Sequence, residues 1–180
     1  GSVTASQAIR ICAGELKITG GTVTSTAAPM EGDMIAGGSG GTNGAVVIGK
    51  ASNGYVGDIS VSISGDAVIQ NTANVAEGEI RPTIVVSDKH MAENVKQTTT
   101  LPDGTSSTET YTYNGFAISV EVDGAEIVGD VVKMSNISQT PGDTSTDGGD
   151  TSLEISNTEI QGDVINQTSS TGVSVSNSTV

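Results

Sequence analysis

The segment from Asp143 to Glu154 has the residue types and spacing of a calcium-binding loop. The ligands would be oxygen atoms, which suit a hard cation such as Ca²⁺, and they would come from Asp143, Ser145, Asp147, Gly149 and Glu154. An acidic residue, Asp150, stands where such loops carry an apolar one, and no helical pattern flanks the segment. Two interpretations therefore stay open: a calcium site that rigidifies the loop, or a solvated acidic loop. No other cofactor is indicated.

Aromatic side chains are the second group of residues that could bind a ligand, because exposed rings often bind carbohydrates. The chain has no tryptophan, one phenylalanine and three tyrosines. Tyr111, Tyr113 and Phe116 lie close together, and the first two would share one face of a strand. They predict either a glycan-binding surface or an aromatic pair that only covers the side of the fold.

Paired carboxylates could act as acid and base in a lyase or hydrolase of acidic polysaccharides. No pattern distinguishes one pair from another among Asp58 with Asp66, Asp123 with Asp130, and Glu154 with Asp163. An acidic sugar would also need basic residues to hold it, and the chain has only seven Lys and Arg. We therefore expect a non-catalytic protein, and no residue is assigned a catalytic role.

The charge of the chain excludes several partners. Seven Lys and Arg against 21 Asp and Glu give a formal net charge of −14, which would repel nucleic acids. No apolar run is long enough to cross a bilayer, so direct membrane insertion is not expected. Cys12 is the single cysteine and cannot form an internal disulfide.

One short repeat organises the chain: apolar residues at its first and third positions, Gly or Asn at the fifth, and Val or Ile at the eighth. It occurs five times, at Leu16 to Val23, Val61 to Val68, Val120 to Ile127, Leu153 to Ile160 and Val173 to Val180. The alternation places the first two apolar side chains on one face of a strand, and Gly or Asn provides a bend before the last apolar residue begins another inward-facing strand. Two copies continue with Gly-Asp-Val, which predicts a second bend, so one copy corresponds to about one coil of a solenoid.

The copies are spaced irregularly along the sequence. Their third positions are separated by 45, 59, 33 and 20 residues. The longer steps require either degenerate coils or loops inserted at corners, and the apolar pieces Val46 to Ile48 and Ile84 to Val86 are candidates for degenerate coils. Residues 95–114 alternate β-forming residues around Pro102-Asp103-Gly104, which predicts an inserted β-hairpin.

Together these patterns predict an all-β protein. We expect a single-stranded parallel β-helix, or β-solenoid, with an inserted β-hairpin. Residues 1–180 would form one domain that is a fragment of a longer protein, with Gly1-Ser2 as a cloning remnant. The alternative is an immunoglobulin-like β-sandwich, which also has short strands and polar turns but predicts no repeated motif.

The copy LKITGGTV and the later segment AGGSGGTNG resemble the Gly-rich β-solenoid regions of secreted bacterial adhesin-like proteins with a pectate-lyase-like architecture. The resemblance implies an extracellular location on the bacterial cell surface and a non-catalytic structural or adhesive role. Host or cell-wall glycans, or another surface protein, would be the partners. A carbohydrate-binding module is the second interpretation, and an enzyme acting on acidic polysaccharides is the third.

Overall fold

The computed structural model describes residues 1–28, 43–49, 58–87, 95–111, 117–134, 151–167 and 172–180. Within these residues the chain forms β-strands and no helix. The strands are β1 (Ser2–Ala5), β2 (Gln7–Ile11), β3 (Gly14–Ser25), β4 (Gly44–Ile48), β5 (Ile59–Asn71), β6 (Pro82–Ser87), β7 (Val95–Thr100), β8 (Ser106–Tyr111), β9 (Ile118–Asp123), β10 (Glu126–Val128), β11 (Asp130–Met134), β12 (Thr151–Ser156), β13 (Glu159–Gln161), β14 (Val164–Asn166) and β15 (Val173–Ser176).

Two parallel sheets contain all of these strands except β7 and β8. Sheet A has the order β1-β3-β5-β9-β12-β15, with β10 pairing with both β5 and β13, and sheet B has the order β2-β4-β6-β11-β14. Every pairing within the two sheets is parallel. The chain alternates between the sheets, so that each return to sheet A adds the next strand. The all-β prediction is confirmed, whereas the antiparallel pairing of an immunoglobulin-like sandwich is not what these sheets have.

The five copies of the repeat lie side by side in sheet A, in chain order and in register. The column formed by their third positions consists of Ile18, Ile63, Val122, Ile155 and Val175. No other strand separates successive copies in this part of sheet A. Of the two alternatives for the long steps, degenerate coils at these apolar pieces are wrong, because the pieces belong to β4 and β6 of sheet B.

A β-bulge in β5 makes Ile69, rather than the eighth repeat residue Val68, the inward-facing residue near the end of this strand. Relative to β3, the strand contains one extra residue near Gly65, which has a φ of 65°. A Cβ at Gly65 would lie 2.8 Å from the carbonyl oxygen of Thr19. Beyond the bulge, Ile69 is fully buried and pairs in register with Val23. The expectation that Val68 begins the inward-facing segment is wrong, because the extra residue moves it to the other face.

The bends inside the repeats use the residues that the pattern predicted for them. Gly124, Asn157 and Asn177 follow β9, β12 and β15, with φ values of 75°, 50° and 48°. Glycine and asparagine are the residues that adopt this left-handed conformation most readily. The predicted role of the fifth repeat position is thus confirmed in these three copies.

The apolar core lies between the sheets and is built from inward-facing side chains of both. The outer face of sheet A is open to solvent, as the alternating buried and exposed residues of β9 illustrate. The outer face of sheet B is instead covered, because Val85, Val132 and Met134 form a second apolar cluster with no exposed surface. Sheet A therefore presents a regular strand surface that is exposed to solvent.

Strands β7 and β8 pair with each other in antiparallel register, apart from the two large sheets. In their connection, the Leu101 N–H donates to the carbonyl of Thr105 at 2.8 Å and the Gly104 N–H donates to the carbonyl of Leu101 at 2.9 Å. Gly104 has a φ of 83°. This arrangement agrees with the predicted hairpin around the Pro-Asp-Gly turn.

Candidate functional site

The outer face of sheet A carries polar side chains in columns that cross the strands, and we call it the sheet A face. One column consists of Lys17, Ser62, Glu121, Glu154 and Ser174. The neighbouring column consists of Ser64, Asp123, Ser156 and Ser176. Hydroxyl and carboxylate groups thus repeat at the strand spacing of about 4.8 Å. Such a surface can form hydrogen bonds, but these columns contain no aromatic ring for stacking on a sugar.

Carboxylates stack on one another in the later strands of the sheet A face. Glu121 pairs in register with Glu154, and Glu126 pairs in register with Glu159. Like charges directly opposite one another on adjacent strands are unfavourable. The Gln161 amide reduces this repulsion in the second pair by donating to Glu126 Oε1 at 3.3 Å and to Glu159 Oε1 at 3.4 Å. These four carboxylates make this half of the sheet A face strongly negative.

Asp123 links two neighbouring repeats across the sheet A face. Its Oδ1 accepts hydrogen bonds from Asn157 Nδ2 at 2.7 Å and from Ser156 Oγ at 2.9 Å. These donors, with the Asn157 amide contributing most, lower the pKa of the Asp123 carboxyl. Its contacts are therefore those of a side chain that holds the bend of the next repeat in place.

Asp130 occupies the second bend and is 7% exposed. Its Oδ1 accepts a hydrogen bond from the Asp163 N–H at 2.8 Å, and its Oδ2 accepts one from the Arg81 N–H. The carboxylate thus links the beginnings of three neighbouring strands of sheet B, β6, β11 and β14. The nominal pair of Asp123 with Asp130 is divided between the exposed face and this buried corner.

Asn71 fulfils a related task at another corner and is 1% exposed. Its Nδ2 donates to the carbonyl oxygens of Ala27 at 3.3 Å and Pro82 at 2.8 Å, and its Oδ1 accepts from the Ala73 N–H at 3.0 Å. Buried corner residues with such contacts satisfy backbone groups that the strand ladders leave over.

Lys133 is a fully buried residue that sequence reasoning did not single out. It faces inward from β11 and pairs in register with Val86 on one side and Asn166 on the other. It has an interaction partner within the fold. The signal was present in the sequence, because strand alternation places Lys133 on the same face as the buried Val131.

Most of the predicted ligand residues lie outside the described part of the chain: Tyr113, Phe116, Asp143, Ser145, Asp147 and Gly149. Tyr111 ends β8, with its backbone opposite Val95. Glu154 lies within β12, and its side chain is exposed on the sheet A face. The aromatic glycan surface and the calcium loop therefore stay predictions. Among the residues that are described, no group of three or more His, Cys, Asp or Glu could hold a metal ion.

No protein-family model, curated protein or solved structure matches this chain. Functional assignment consequently depends on the residues and surfaces described above. The described ranges also contain no helix with the length and apolar character that a bilayer span requires.

Proposed function

We propose that the chain is a β-solenoid segment of an extracellular bacterial surface protein, with a non-catalytic structural or adhesive role. The observation that carries this proposal is the in-register stacking of five repeats in sheet A, each followed or preceded by a strand of sheet B. Each repeat packs its apolar residues against the next repeat, which is how solenoids are built. This construction also explains how long segments can be inserted between repeats without disturbing the ladder.

The sheet A face supports a contact role for the segment. It is exposed and regular, and its hydroxyl and carboxylate columns offer hydrogen-bond acceptors and donors at a constant spacing. The buried outer face of sheet B does not offer such a surface. A partner with hydroxyl, amide or cationic groups would complement the sheet A face.

Surface location is tested with an antibody against the folded chain, which is used to label bacteria that produce this protein. Intact cells should be labelled, and brief treatment with an external protease should remove the label. Labelling that requires permeabilised cells would contradict an extracellular location.

Adhesion is tested with beads that carry the folded chain, passed over immobilised cell-wall glycans and mucin. Glu121→Lys changes the charge of the sheet A face, and Glu77→Lys makes the same change at an exposed turn elsewhere. An adhesive sheet A face predicts altered bead retention for the first variant alone. Equal effects of both variants would exclude the sheet A face as the contact surface, and no retention of the parent chain would leave the structural role.

A carbohydrate-binding module is the second candidate, and the hairpin favours it. The hairpin pairs with neither large sheet, and the side chains of residues 100–108 are exposed. Tyr111→Ala should abolish binding on a glycan array while the circular dichroism spectrum stays unchanged. Ser107→Ala, an exposed position in the same strand, should retain binding. Equal binding by parent and Tyr111→Ala would remove this tyrosine from the site.

A further inference from the structure

Asn43 stands immediately before β4 and is followed by a glycine. Asn43 is exposed, and Gly44 is the first residue of the strand. Asparagine is one of the chemically labile residues of proteins. Its side-chain amide is open to attack by the backbone nitrogen of the next residue, and a glycine without a Cβ obstructs that attack least. The pair Asn43-Gly44 therefore combines an exposed amide with the most permissive neighbour.

The other asparagines in the described ranges lack this combination. Each is followed by a residue that carries a side chain, and they are Asn71, Asn74, Asn157, Asn166 and Asn177. Asn71 is also buried, and its amide nitrogen donates to two backbone carbonyls at 2.8 and 3.3 Å. The Asn157 amide donates to the Asp123 carboxylate at 2.7 Å. Within the described part of the chain, sequence and exposure thus favour the reaction together at Asn43.

We propose that Asn43 is a site of spontaneous deamidation in the folded protein. The Gly44 backbone nitrogen gives its proton to solvent base and attacks Cγ of Asn43. The new C–N bond closes a succinimide ring, the bond from Cγ to the side-chain nitrogen breaks, and that nitrogen leaves as ammonia. Water then opens the ring at one of its two carbonyls. Opening at the former side-chain carbonyl gives aspartate, and opening at the main-chain carbonyl gives isoaspartate.

The position of Asn43 in the fold gives the isoaspartate product a structural consequence. Isoaspartate lengthens the main chain by one carbon atom directly before β4, which lies between β2 and β6 and is buried along its whole length. A Cβ at Gly44 would already lie 3.3 Å from the Thr83 carbonyl oxygen and 3.3 Å from Val85 Cγ2, so the start of the strand has little room to shift. The lengthened chain should therefore weaken the pairing of Gly44 with Gln7 at the beginning of sheet B.

The charge of the product acts at the same place. Both products replace a neutral amide by a carboxylate, in a chain whose net charge is already −14. Aspartate adds this charge without changing the length of the main chain, so the two products separate the effect of charge from that of length. The inference depends on Asn43 and the packing of β4, and it is independent of the proposed surface location.

Site-resolved peptide mass spectrometry of the folded chain, stored for weeks in mildly alkaline buffer, tests the modification. The pairs Asn53-Gly54 and Asn114-Gly115 lie outside the described residues, so both asparagines are changed to glutamine in every sample. Asn43 should convert to a mixture of aspartate and isoaspartate, and faster as the pH rises, because the attacking nitrogen must lose its proton. Asn177, exposed but followed by serine, should convert many times more slowly. Asn43→Gln, which would have to close a larger ring, should keep its amide.

Two results would overturn the modification site. Asn43 that stays unmodified in the folded chain but converts in urea would show that the start of β4 blocks the attack. Equal conversion of Asn43 and Asn177 would show that the glycine and the place before β4 do not select the site.

Thermal unfolding of the stored samples tests the structural consequence. The stored parent should melt at a lower temperature than freshly prepared Asn43→Asp, because only the stored sample contains the lengthened main chain. Stored Asn43→Gln should melt like its fresh form. A stored parent that contains isoaspartate at position 43 and melts together with Asn43→Asp would contradict the predicted weakening of sheet B.

Discussion

Replacing Ile69 by alanine should destabilise the protein far more than replacing its neighbour Val68. Ile69 is fully buried and is held between buried residues of the strands on both sides, so the site has little freedom to collapse. The substitution removes three carbon groups, worth about 0.8 kcal/mol each, and adds a cavity cost, for a total of about 3–4 kcal/mol. Val68 lies on the partly exposed outer face, so Val68→Ala should cost at most about 1 kcal/mol.

Urea unfolding followed by far-ultraviolet circular dichroism measures both changes. The two variants should have the same dependence of unfolding free energy on urea concentration as the parent, and only their midpoints should differ. A larger loss for Val68→Ala would show that Val68 rather than Ile69 faces inward, and equal losses would contradict the one-sided burial of this strand end.

Four further outcomes are expected. In urea unfolding, Gly172→Ala should lower the free energy of unfolding by more than about 1 kcal/mol, because the new Cβ would collide with the Thr151 carbonyl oxygen. The control Gly20→Ala, whose Cβ would have no atom within 4 Å, should change it by less than about 0.5 kcal/mol. Asp130→Ala should cost about 3 kcal/mol in the same assay, since two backbone N–H groups lose their acceptor, and a neutral result would show that the corner does not need the carboxylate. Because the pKa of Asp123 is lowered in the folded protein, its carboxylate stabilises the fold above the ordinary carboxyl range, and this stabilisation is lost as the pH falls through the lowered pKa. Asp123→Asn should therefore flatten the decline of the melting temperature below about pH 4. An unchanged decline would contradict a stabilising role of the Asp123 carboxylate. If the predicted calcium loop binds its ion, millimolar Ca²⁺ should raise the melting temperature of the parent but not that of Asp147→Ala, and no rise in either protein would remove the metal site.

The part of the fold that the sequence predicts is the part encoded by local patterns. The alternation of apolar residues identifies the strands of sheet A, and Gly or Asn at the fifth repeat position identifies the bends. Both signals act within eight residues, and the register of the five copies follows from stacking like on like. The hairpin is predictable for the same reason, because its turn chemistry is local.

The features that sequence reasoning did not recover depend on relations between distant segments. In the sequence, β4 and β6 resemble degenerate copies of the repeat, because buried parallel strands are apolar along their whole length. Only their pairing partners in the structure assign them to sheet B. The bulge in β5 shifts the inward face by one residue, and the pattern at Val68 gives no sign of it. The polar corner at Asp130 could not be predicted because its backbone donors come from Arg81 and Asp163, which the fold brings together.

For the candidate site residues, the sequence predicts which functional groups are present better than it predicts their burial and their neighbours in the fold. Glu154 was predicted as the last ligand of a loop, yet it lies in a strand and faces solvent beside Glu121. The buried position of Lys133 agrees with the two-residue period of β11, which places it on the same face as Val131. For carboxylates such as Glu154, by contrast, the residues around them in the sequence do not identify the neighbouring strands, which only the sheet topology supplies.

Disulfide trapping between adjacent strands tests the in-register stacking of the repeats most directly. In a Cys12→Ser background, the pair Ser62→Cys with Glu121→Cys occupies register partners, whose strands lie about 4.8 Å apart and within the range of a disulfide. The pair Ser62→Cys with Glu154→Cys is separated by one further strand, and about twice that spacing is too far. Mild oxidation should cross-link the first pair and leave the second pair reduced, as read by intact mass. Cross-linking of the second pair in preference to the first would contradict the stack.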